Sequence, residues 1–456
     1  MLLLESPHEP AKLSPGVRRV TFSLLNPRRD REILRLALPA LGSLAADPLL
    51  SMVDTALVGH LGPAPLAALA VSVVVFNLAF TLFNFLAYGT TAPVARRFSS
   101  GRGHEIPGFA VQTLWVTIIL GGVATILAES LAVPLGKLVG ADQEVLVLFL
   151  AYFRIRVLAL VPMMITLAGH GLFRGLLDTR TPLLITVCVN VVNAGLAYVL
   201  IYPAGMGVRG AAIATLSAQT AGAMLFLWRA AKRLRPLTDT FDWRPHKGPM
   251  QELLVLSRDL AIRTLALYGV YFLSTTAATR MGTIQVAAHQ IALDLWMFLA
   301  MIMDSLAIAG QALIGRYLGA GKSAEARVIG TRIAWWSVAA GVVFSLAYHL
   351  AQDLLPRIFT TDPEVLATIA TVFPFVILLQ PLNGFVFGLD GVLIGASDTK
   401  YLAQAMMLSA LIGAGIVLAA LFFGWGLQGV WWGLGALMLT RAITVGRRFW
   451  SGRWVH

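Results

Sequence analysis

Long apolar runs, each of about 20 to 30 residues, alternate along the chain with short polar segments that carry most of the charges. An α-helix of that length spans the roughly 30 Å hydrocarbon core of a bilayer. We therefore expect an all-α integral membrane protein with twelve transmembrane helices. The predicted spans are 33–60, 66–95, 108–136, 145–173, 182–203, 209–229, 252–279, 285–315, 328–352, 364–394, 401–423 and 427–446.

One polar segment is longer than the others and divides the spans into two sets of six. It covers residues 230–251 and is rich in arginine, lysine and proline. We predict five regions in chain order: a basic N-terminal tail (1–32), a first lobe of six helices (33–229), the linker (230–251), a second lobe of six helices (252–446) and a C-terminal tail (447–456).

The distribution of positive charge indicates the orientation in the membrane. With the N-terminus inside, 24 Lys and Arg residues fall in the cytoplasmic segments. The outer loops hold four: Lys137, Arg209, Arg280 and Arg357. Because cytoplasmic loops carry an excess of Lys and Arg, we expect both termini, the linker and both tails in the cytoplasm. These loops face anionic lipid, so the net charge of +12 implies membrane lipids as partners and no nucleic acid.

The two predicted lobes repeat each other at an offset of 220 residues, which becomes 219 late in each lobe. Segment 96–103 (RRFSSGRG) matches 316–323 (RYLGAGKS), and 175–180 (GLLDTR) matches 395–400 (GASDTK). Each lobe has an even number of spans, so both lobes enter the membrane from the same side. The sequence therefore predicts a parallel repeat with a pseudo-twofold axis along the membrane normal, which is typical of transporters with a central site between two bundles.

Two carboxylates lie inside the first span, which has no lysine or arginine between Leu36 and Leu61. Asp47 and Asp54 are seven residues apart, close to two helical turns, and therefore share one face. An uncompensated acid in a spanning helix costs about 2.5–3.5 kcal/mol and by default marks an ion or substrate pathway. We interpret Asp54 as functional; the alternative is a structural acid that is hydrogen-bonded to a neighbouring helix.

Other polar residues within the spans occur in only one lobe and are further candidates for the site. Asn190 and Asn193 lie three residues apart on one helix face and can donate to a carboxylate, with simple helix-to-helix bonding as an equal alternative. The second lobe has its own set: Asp294, Asp304, Asn383 and Asp390. Asp259 and Arg263 are spaced i, i+4 and are predicted to pair with each other. The sequence has no zinc spacing, phosphate loop or nucleophile elbow, so we expect no metal, no cofactor and no enzyme.

Four segments resemble the multidrug and toxic compound extrusion (MATE) family, specifically its DinF-like branch. They are MVDTALVGHLG (52–62), GLFRGLLDTRTPL (171–183), AAHQIALDLWMFLAMIMDSLAIAGQALIGRYLGAG (287–321) and DGVLIGASDTKY (390–401). The resemblance implies two six-helix bundles around a V-shaped cavity. It also implies export of amphipathic, often cationic compounds against an inward flow of protons or sodium ions.

The resemblance assigns roles to individual positions. It places the proposed protonation site on Asp54, a polar residue two turns earlier on Asp47, the helix 5 asparagine on Asn190 and the helix 6 threonine on Thr215. The chain departs from the family pattern at Asn383, where other branches carry a coupling acid in helix 10. Ala194 likewise stands where some relatives have a helix 5 aspartate. These differences place the coupling role on Asp54.

We therefore expect a secondary antiporter that exports amphipathic, cationic organic compounds by alternating access. Protonation of Asp54 is the expected coupling event, with sodium ions as the alternative coupling ion. A lipid-precursor flippase of the same superfamily is the open alternative, although the interior charges are mostly acidic and a flippase favours a cationic cavity. A third reading is a membrane enzyme that uses His170. We expect a monomer in a bacterial inner membrane, and the sequence does not name its substrate.

Overall fold

Seventeen α-helices follow one another in the part of the chain that the computed structural model describes, residues 27–138, 143–238 and 241–455. Within the helices, the side chains of Asp47 and of residues 74–75 and 77–82 lie outside the described part. The helices are α1 (Pro27–Gly59), α2 (Pro63–Phe83), α3 (Phe85–Ser99), α4 (Ile106–Ser130), α5 (Ala132–Leu138), α6 (Gln143–Val157), α7 (Leu160–Gly175), α8 (Arg180–Ile201), α9 (Gly207–Leu234), α10 (Lys247–Met281), α11 (Thr283–Gly319), α12 (Ser323–Leu350), α13 (Leu355–Phe359), α14 (Pro363–Leu378), α15 (Gln380–Gly395), α16 (Thr399–Phe422) and α17 (Gly426–Ser451).

These helices are consistent with the twelve spans predicted from the sequence. Four spans consist of two helices each, namely α2 with α3, α4 with α5, α6 with α7 and α14 with α15, and α13 lies in a connection. Among the described residues, seven helices are individually long and apolar enough to cross a membrane. The first lobe contains α1–α9 and the second contains α10–α17.

Two spans are bent at matching places in the two lobes. α6 and α7 meet at 46°, and α14 and α15 meet at 47°. The breaks fall at Ala159 and Leu379, which are 220 residues apart. A proline follows each break within three residues, Pro162 in α7 and Pro381 in α15. Proline has no N–H to donate to the preceding turn, so it ends one helix and is tolerated in the first turn of the next.

The repeat predicted from the sequence is also present in the backbone conformation. Leu177 and Ser397 are the two non-glycine residues with positive φ among those described, at 61° and 58°, and they are 220 residues apart. Glycines with positive φ pair in the same way at offsets of 220 or 219: Gly62 with Gly282, Gly101 with Gly321, Gly205 with Gly424, and Gly207 with Gly426. Equivalent turns therefore connect equivalent helices in the two lobes.

The lobes pack together through α11, which lies against α1 and α3, and through α10, which lies against α3 and α4. We call the end of the bundle where α1 and α10 begin the terminal face, and the end where they finish the distal face. The largest apolar cluster joins the first lobe to the terminal half of the second, including Leu313 and Ile329. A separate cluster around Trp296 and Trp431 fills the distal half of the second lobe. The two lobes therefore share a core toward the terminal face.

The linker between the lobes is held along the first lobe at the terminal face. Gln112 of α4 donates to the Arg244 carbonyl and accepts from the His246 N–H, both at 2.8 Å. Asp242 accepts hydrogen bonds from the Arg244 N–H (3.0 Å) and from His246 Nε2 (2.8 Å). These bonds, the backbone bond first, hold the pKa of the Asp242 carboxyl below its ordinary value.

Candidate functional site

Asp54 is contacted by the buried amide of Asn193. The Asn193 Nδ2 atom lies 3.1 Å from Asp54 Oδ1 and 3.4 Å from Oδ2, so one N–H group is shared between the two carboxylate oxygens. Asp54 is half-buried and Asn193 is 1% exposed. The carboxylate is therefore held between α1 and α8 by a charge-assisted hydrogen bond. Asp47 lies on the same helix, but its side chain is outside the described residues.

Asn190 has a different partner. Its Nδ2 atom donates to the Ala46 carbonyl of α1 at 2.9 Å. Pro48 lies in the same stretch of α1, where its missing N–H weakens the helix hydrogen bonding. Asn190 therefore ties α8 to the backbone of α1 beside this weakened turn, while Asn193, one turn further along, reaches the carboxylate.

A cation that sequence reasoning missed acts on Asp54 from a third helix. Arg156, near the end of α6, interacts electrostatically with Asp54. Its guanidinium lies 4.6 Å from the centre of the Phe76 ring and donates to Gln219 Oε1 of α9 at 3.4 Å. The sequence signal that could have identified it is an arginine inside an apolar span. Arg154, the other arginine of this span, pairs with Glu129.

The remaining candidate of the first lobe, Thr215, bonds within its own helix. Its hydroxyl donates to the Ala211 carbonyl at 3.0 Å. Gln219, one turn later on α9, is the residue that joins the cluster around Asp54 through Arg156. The Asp54 cluster thus contains Asn193, Arg156 and Gln219, and helices α1, α6, α8 and α9 contribute to it.

The second lobe contains a buried ion-paired cluster at Asp390. The Asp390 carboxylate pairs with Arg263 of α10 and with Arg441 of α17, the latter at 2.5 Å. The predicted pair of Asp259 with Arg263 is wrong, because Asp259 pairs instead with its neighbour Arg258 at 2.7 Å. Asp390 is 3% exposed and a carboxylate so deeply buried requires opposite charge, which Arg263 supplies.

Asp304 lies where the two lobes meet, close to this cluster. It interacts electrostatically with Arg263 and Arg441 of its own lobe and with Arg174 of the first lobe. Arg174 in turn donates to His170 Nδ1 at 3.3 Å. The charge of Asp304 therefore acts on arginines of both lobes.

Two further candidates of the second lobe lie apart from these clusters. Asp294 is exposed and accepts from Gln290 of the same helix at 2.8 Å. Asn383 is buried and donates to Gln380 Oε1 at 3.3 Å. Of the predicted residues, Asp54 and Asn193 therefore form one group in the first lobe, and Asp304 lies near Asp390 in the second.

Ion pairs close the lobes against each other at the terminal face. Glu32 at the start of α1 pairs with Arg316 at the end of α11 and accepts from the Tyr317 hydroxyl at 3.1 Å. Asp30 accepts from Arg332 Nε at 2.7 Å, in α12. Both acids belong to the predicted tail 1–32, but the structure places them in α1.

Equivalent bonds lie on the other side of the pseudo-twofold axis. Arg97 of α3 pairs with Glu252 of α10 at 2.6 Å, and Arg96 donates to the Ala396 carbonyl. Two more hydrogen bonds between the lobes, from Gln311 to the Tyr88 carbonyl and from Trp336 to Asp30, also lie in the terminal half. Asp54 lies five residues before the end of α1, about 8 Å from its distal end. The lobes are therefore closed at the terminal face, away from Asp54.

Comparison with known proteins places this architecture in a family. A model of the MatE family matches residues 39–199 and 260–421, once in each lobe. The chain is 33% identical over 451 residues to Protein DETOXIFICATION 44, chloroplastic, of Arabidopsis thaliana, covering 96% of this chain and 84% of that protein. It is 27% identical over 446 residues to DNA damage-inducible protein F of Escherichia coli K12, covering 96% of each.

The fold agrees with solved structures as well. A transporter of the MOP superfamily from Pyrococcus furiosus matches with a TM-score of 0.82 at 21% identity, covering 93% of this chain and 95% of that chain. The family match in both lobes and the coverage of the relatives confirm the resemblance found in the sequence. The chain belongs to the MATE family, in its DinF-like branch, and is a multi-pass membrane transporter, not an enzyme.

Proposed function

We propose that the protein is an antiporter that exports amphipathic, cationic organic compounds in exchange for protons, with Asp54 as the coupling residue. The observation that carries the proposal is the Asp54 carboxylate held by Asn193 beside Arg156. A carboxylate inside a membrane-spanning helix by default marks an ion or substrate pathway, and Asp54 is half-buried, not sealed within the core. Small organic molecules and the coupling ion are the expected partners.

Arg156 sets the charge of the proposed site in each state. When Asp54 is ionised, its charge and that of Arg156 cancel, and a cationic substrate can approach. When Asp54 binds a proton, the positive charge of Arg156 remains and repels the same substrate. Proton and cation then exclude each other, and a ligand that binds one state better shifts the protein toward that state.

Asn193 fits both states of the carboxyl group. Its N–H group donates to the ionised Asp54, whereas its Oδ1 atom is buried and has no hydrogen-bond partner among the described residues. A protonated carboxyl is a donor, so rotation of the amide would present an acceptor to it. The same residue can therefore satisfy Asp54 before and after protonation.

The apolar surroundings support an amphipathic substrate. Leu50 and Leu57 share the face of α1 with Asp54 and are half-buried. Apolar side chains beside one carboxylate suit an organic cation with an apolar body.

The excess of Lys and Arg in the loops at the terminal face supports a cytoplasmic location for that face. The closed terminal face then corresponds to a protein that is closed toward the cytoplasm, with Asp54 nearer the outside. For the site to face the cytoplasm, the ion pairs of Glu32 with Arg316 and of Glu252 with Arg97 must break. We place the protein in a bacterial cell membrane, although the relatives include a chloroplast protein.

Efflux from proteoliposomes tests the proposal. Purified protein is reconstituted with a fluorescent organic cation, and a pH gradient or a sodium gradient is imposed separately. We expect wild-type protein to drive efflux with the pH gradient, Asp54→Asn to lose it, and Asp294→Asn, an exposed carboxylate, to retain it. Efflux driven by the sodium gradient alone would show that sodium, and not the proton, is the coupling ion. Full activity of Asp54→Asn would show that Asp54 is not the coupling residue.

A further inference from the structure

A pocket of about 580 Å³ lies at the terminal face, at the boundary between the two lobes. Pro93, Arg96 and Arg97 of α3 and Arg102 of the following loop form one wall. The second lobe supplies the opposite wall from Gln251, Glu252, Val255 and Leu256 near the start of α10, together with Ser397. Anything that binds in this pocket therefore contacts both lobes where they are closed.

The repeat shows that the pocket has one cation in excess. In the second lobe, Arg316 is the repeat mate of Arg96, and it pairs with Glu32. The matching acid on the pocket side is Glu252, but it forms its ion pair with Arg97 at 2.6 Å. The mate of Arg97 is a tyrosine, so the first lobe has an extra guanidinium here and Arg96 is left without a carboxylate in hydrogen-bond contact.

The Arg96 side chain is incompletely satisfied. One Nη2 N–H donates to the Ala396 carbonyl, a neutral acceptor. Its Nε atom is buried and has no hydrogen-bond partner among the described residues. A buried charged donor without a partner is costly, and an anion bound in the pocket would remove that cost. Arg102, at the rim, has a 58% exposed side chain that lies 3.7 Å from Glu105 and donates to the Ser100 hydroxyl at 3.2 Å. An exposed ion pair of this length contributes little, so Arg102 can turn toward the same anion.

The pocket also has an apolar side. Pro93, Val255 and Leu256 line it below the arginines, and Val255 is 49% exposed on the surface of α10. A basic pocket between transmembrane helices on the cytoplasmic side suits a phosphate-bearing lipid headgroup, with its acyl chains along such an apolar surface.

We propose that this pocket binds a phosphate group, supplied by an anionic phospholipid of the adjoining leaflet or by soluble phosphate, through Arg96 and Arg102. The bound phosphate lies between these arginines of the first lobe and the polar side chains of Gln251 and Ser397, which line the pocket from the second lobe, and it stabilises the closure of the terminal face. The site is separate from the Asp54 cluster, so it does not depend on the proposed coupling mechanism.

Native mass spectrometry of the full-length protein in detergent, titrated with phosphatidylglycerol or with phosphatidylcholine, tests the lipid source. We expect phosphatidylglycerol to bind more tightly than phosphatidylcholine. Arg102→Gln, at an exposed position that does not endanger folding, should weaken phosphatidylglycerol binding about fivefold, and Arg96→Gln at least as much. Lys322→Gln is the matched control, since Lys322 is the repeat mate of Arg102, is exposed on the same face and lies outside the pocket.

A thermal-shift titration with inorganic phosphate, against chloride at equal ionic strength, tests the soluble source. If phosphate raises the melting temperature of wild-type protein but not that of Arg96→Gln or Arg102→Gln, the pocket binds soluble phosphate. Binding of phosphatidylglycerol with the same dependence on the variants supports it with a lipid. Two results would overturn the proposal: neither ligand binds in preference to its control, or Lys322→Gln weakens binding as much as the pocket variants.

Discussion

The carboxylate of Asp390 is the counter-charge for two arginines inside the second lobe, and its loss should strongly destabilise the protein. Asp390 and Arg441 are 3% and 1% exposed, and the Arg263 side chain is 12% exposed. Asp390→Asn keeps the shape of the side chain but leaves both guanidiniums without this partner. Removing one member of a buried ion pair costs about 3–5 kcal/mol. Asp304 interacts with both arginines and offsets part of the cost, so we expect a loss of about 3 kcal/mol.

Denaturant unfolding of the purified protein in one detergent measures this loss. Asp294→Asn is the matched control, because Asp294 is exposed and an asparagine still accepts from Gln290, and it should cost less than about 0.5 kcal/mol. Adding Arg441→Gln to Asp390→Asn removes a cation together with its partner, so the double variant should lose less than the sum of the two single losses. If Asp390→Asn is as stable as wild-type protein, or if the losses of the two single variants add up in the double variant, Asp390, Arg263 and Arg441 do not form one buried unit.

Three further predictions concern the first lobe and the orientation. Asn193→Ala removes the donor to the helix 1 carboxylate and should shift the pH profile of transport, whereas Asn190→Ala should lower stability by about 1 kcal/mol and leave the profile unchanged; equal profiles for the two variants would contradict this. Arg156→Gln removes the cation beside the carboxylate, so titration with a fluorescent organic cation should show binding that is several-fold tighter and persists at acidic pH; unchanged binding would exclude a role for this charge. A cysteine introduced by Lys247→Cys in a Cys188→Ser background should resist an impermeant thiol reagent applied outside intact cells, and labelling from outside would reverse the proposed orientation.

The length and number of the apolar runs were sufficient to predict the spans, because the bilayer fixes the length of a spanning helix. The repeat was also visible in the sequence, because equivalent turns in the two lobes need equivalent residues. The bends at Ala159 and Leu379 were not predicted. The apolar run continues through each break, and a proline near the middle of a run is compatible with either a kinked helix or two separate helices.

The partners of the charged side chains were harder to predict than the spans. Spacing placed Asn190 and Asn193 on one face, but the rotation of α8 against α1 decides which amide reaches Asp54, and packing sets that rotation. Local spacing favoured a pair of Asp259 with Arg263, whereas Arg263 pairs with Asp390, which is 127 residues away in the sequence. Rules for neighbours on one helix do not include competition from another helix that is closer in space.

The central claim, that a proton and a cationic substrate compete at Asp54, is tested most directly by the protons released when substrate binds. The protein is placed in weakly buffered detergent solution with a pH indicator, at a pH where transport is half-maximal, and the organic cation is added in excess. Wild-type protein should release protons, up to about one per substrate bound. Asp54→Asn leaves the charge of Arg156 uncompensated, so this variant should bind the cation much more weakly and release no protons. Equal proton release from wild-type protein and Asp54→Asn would contradict the account.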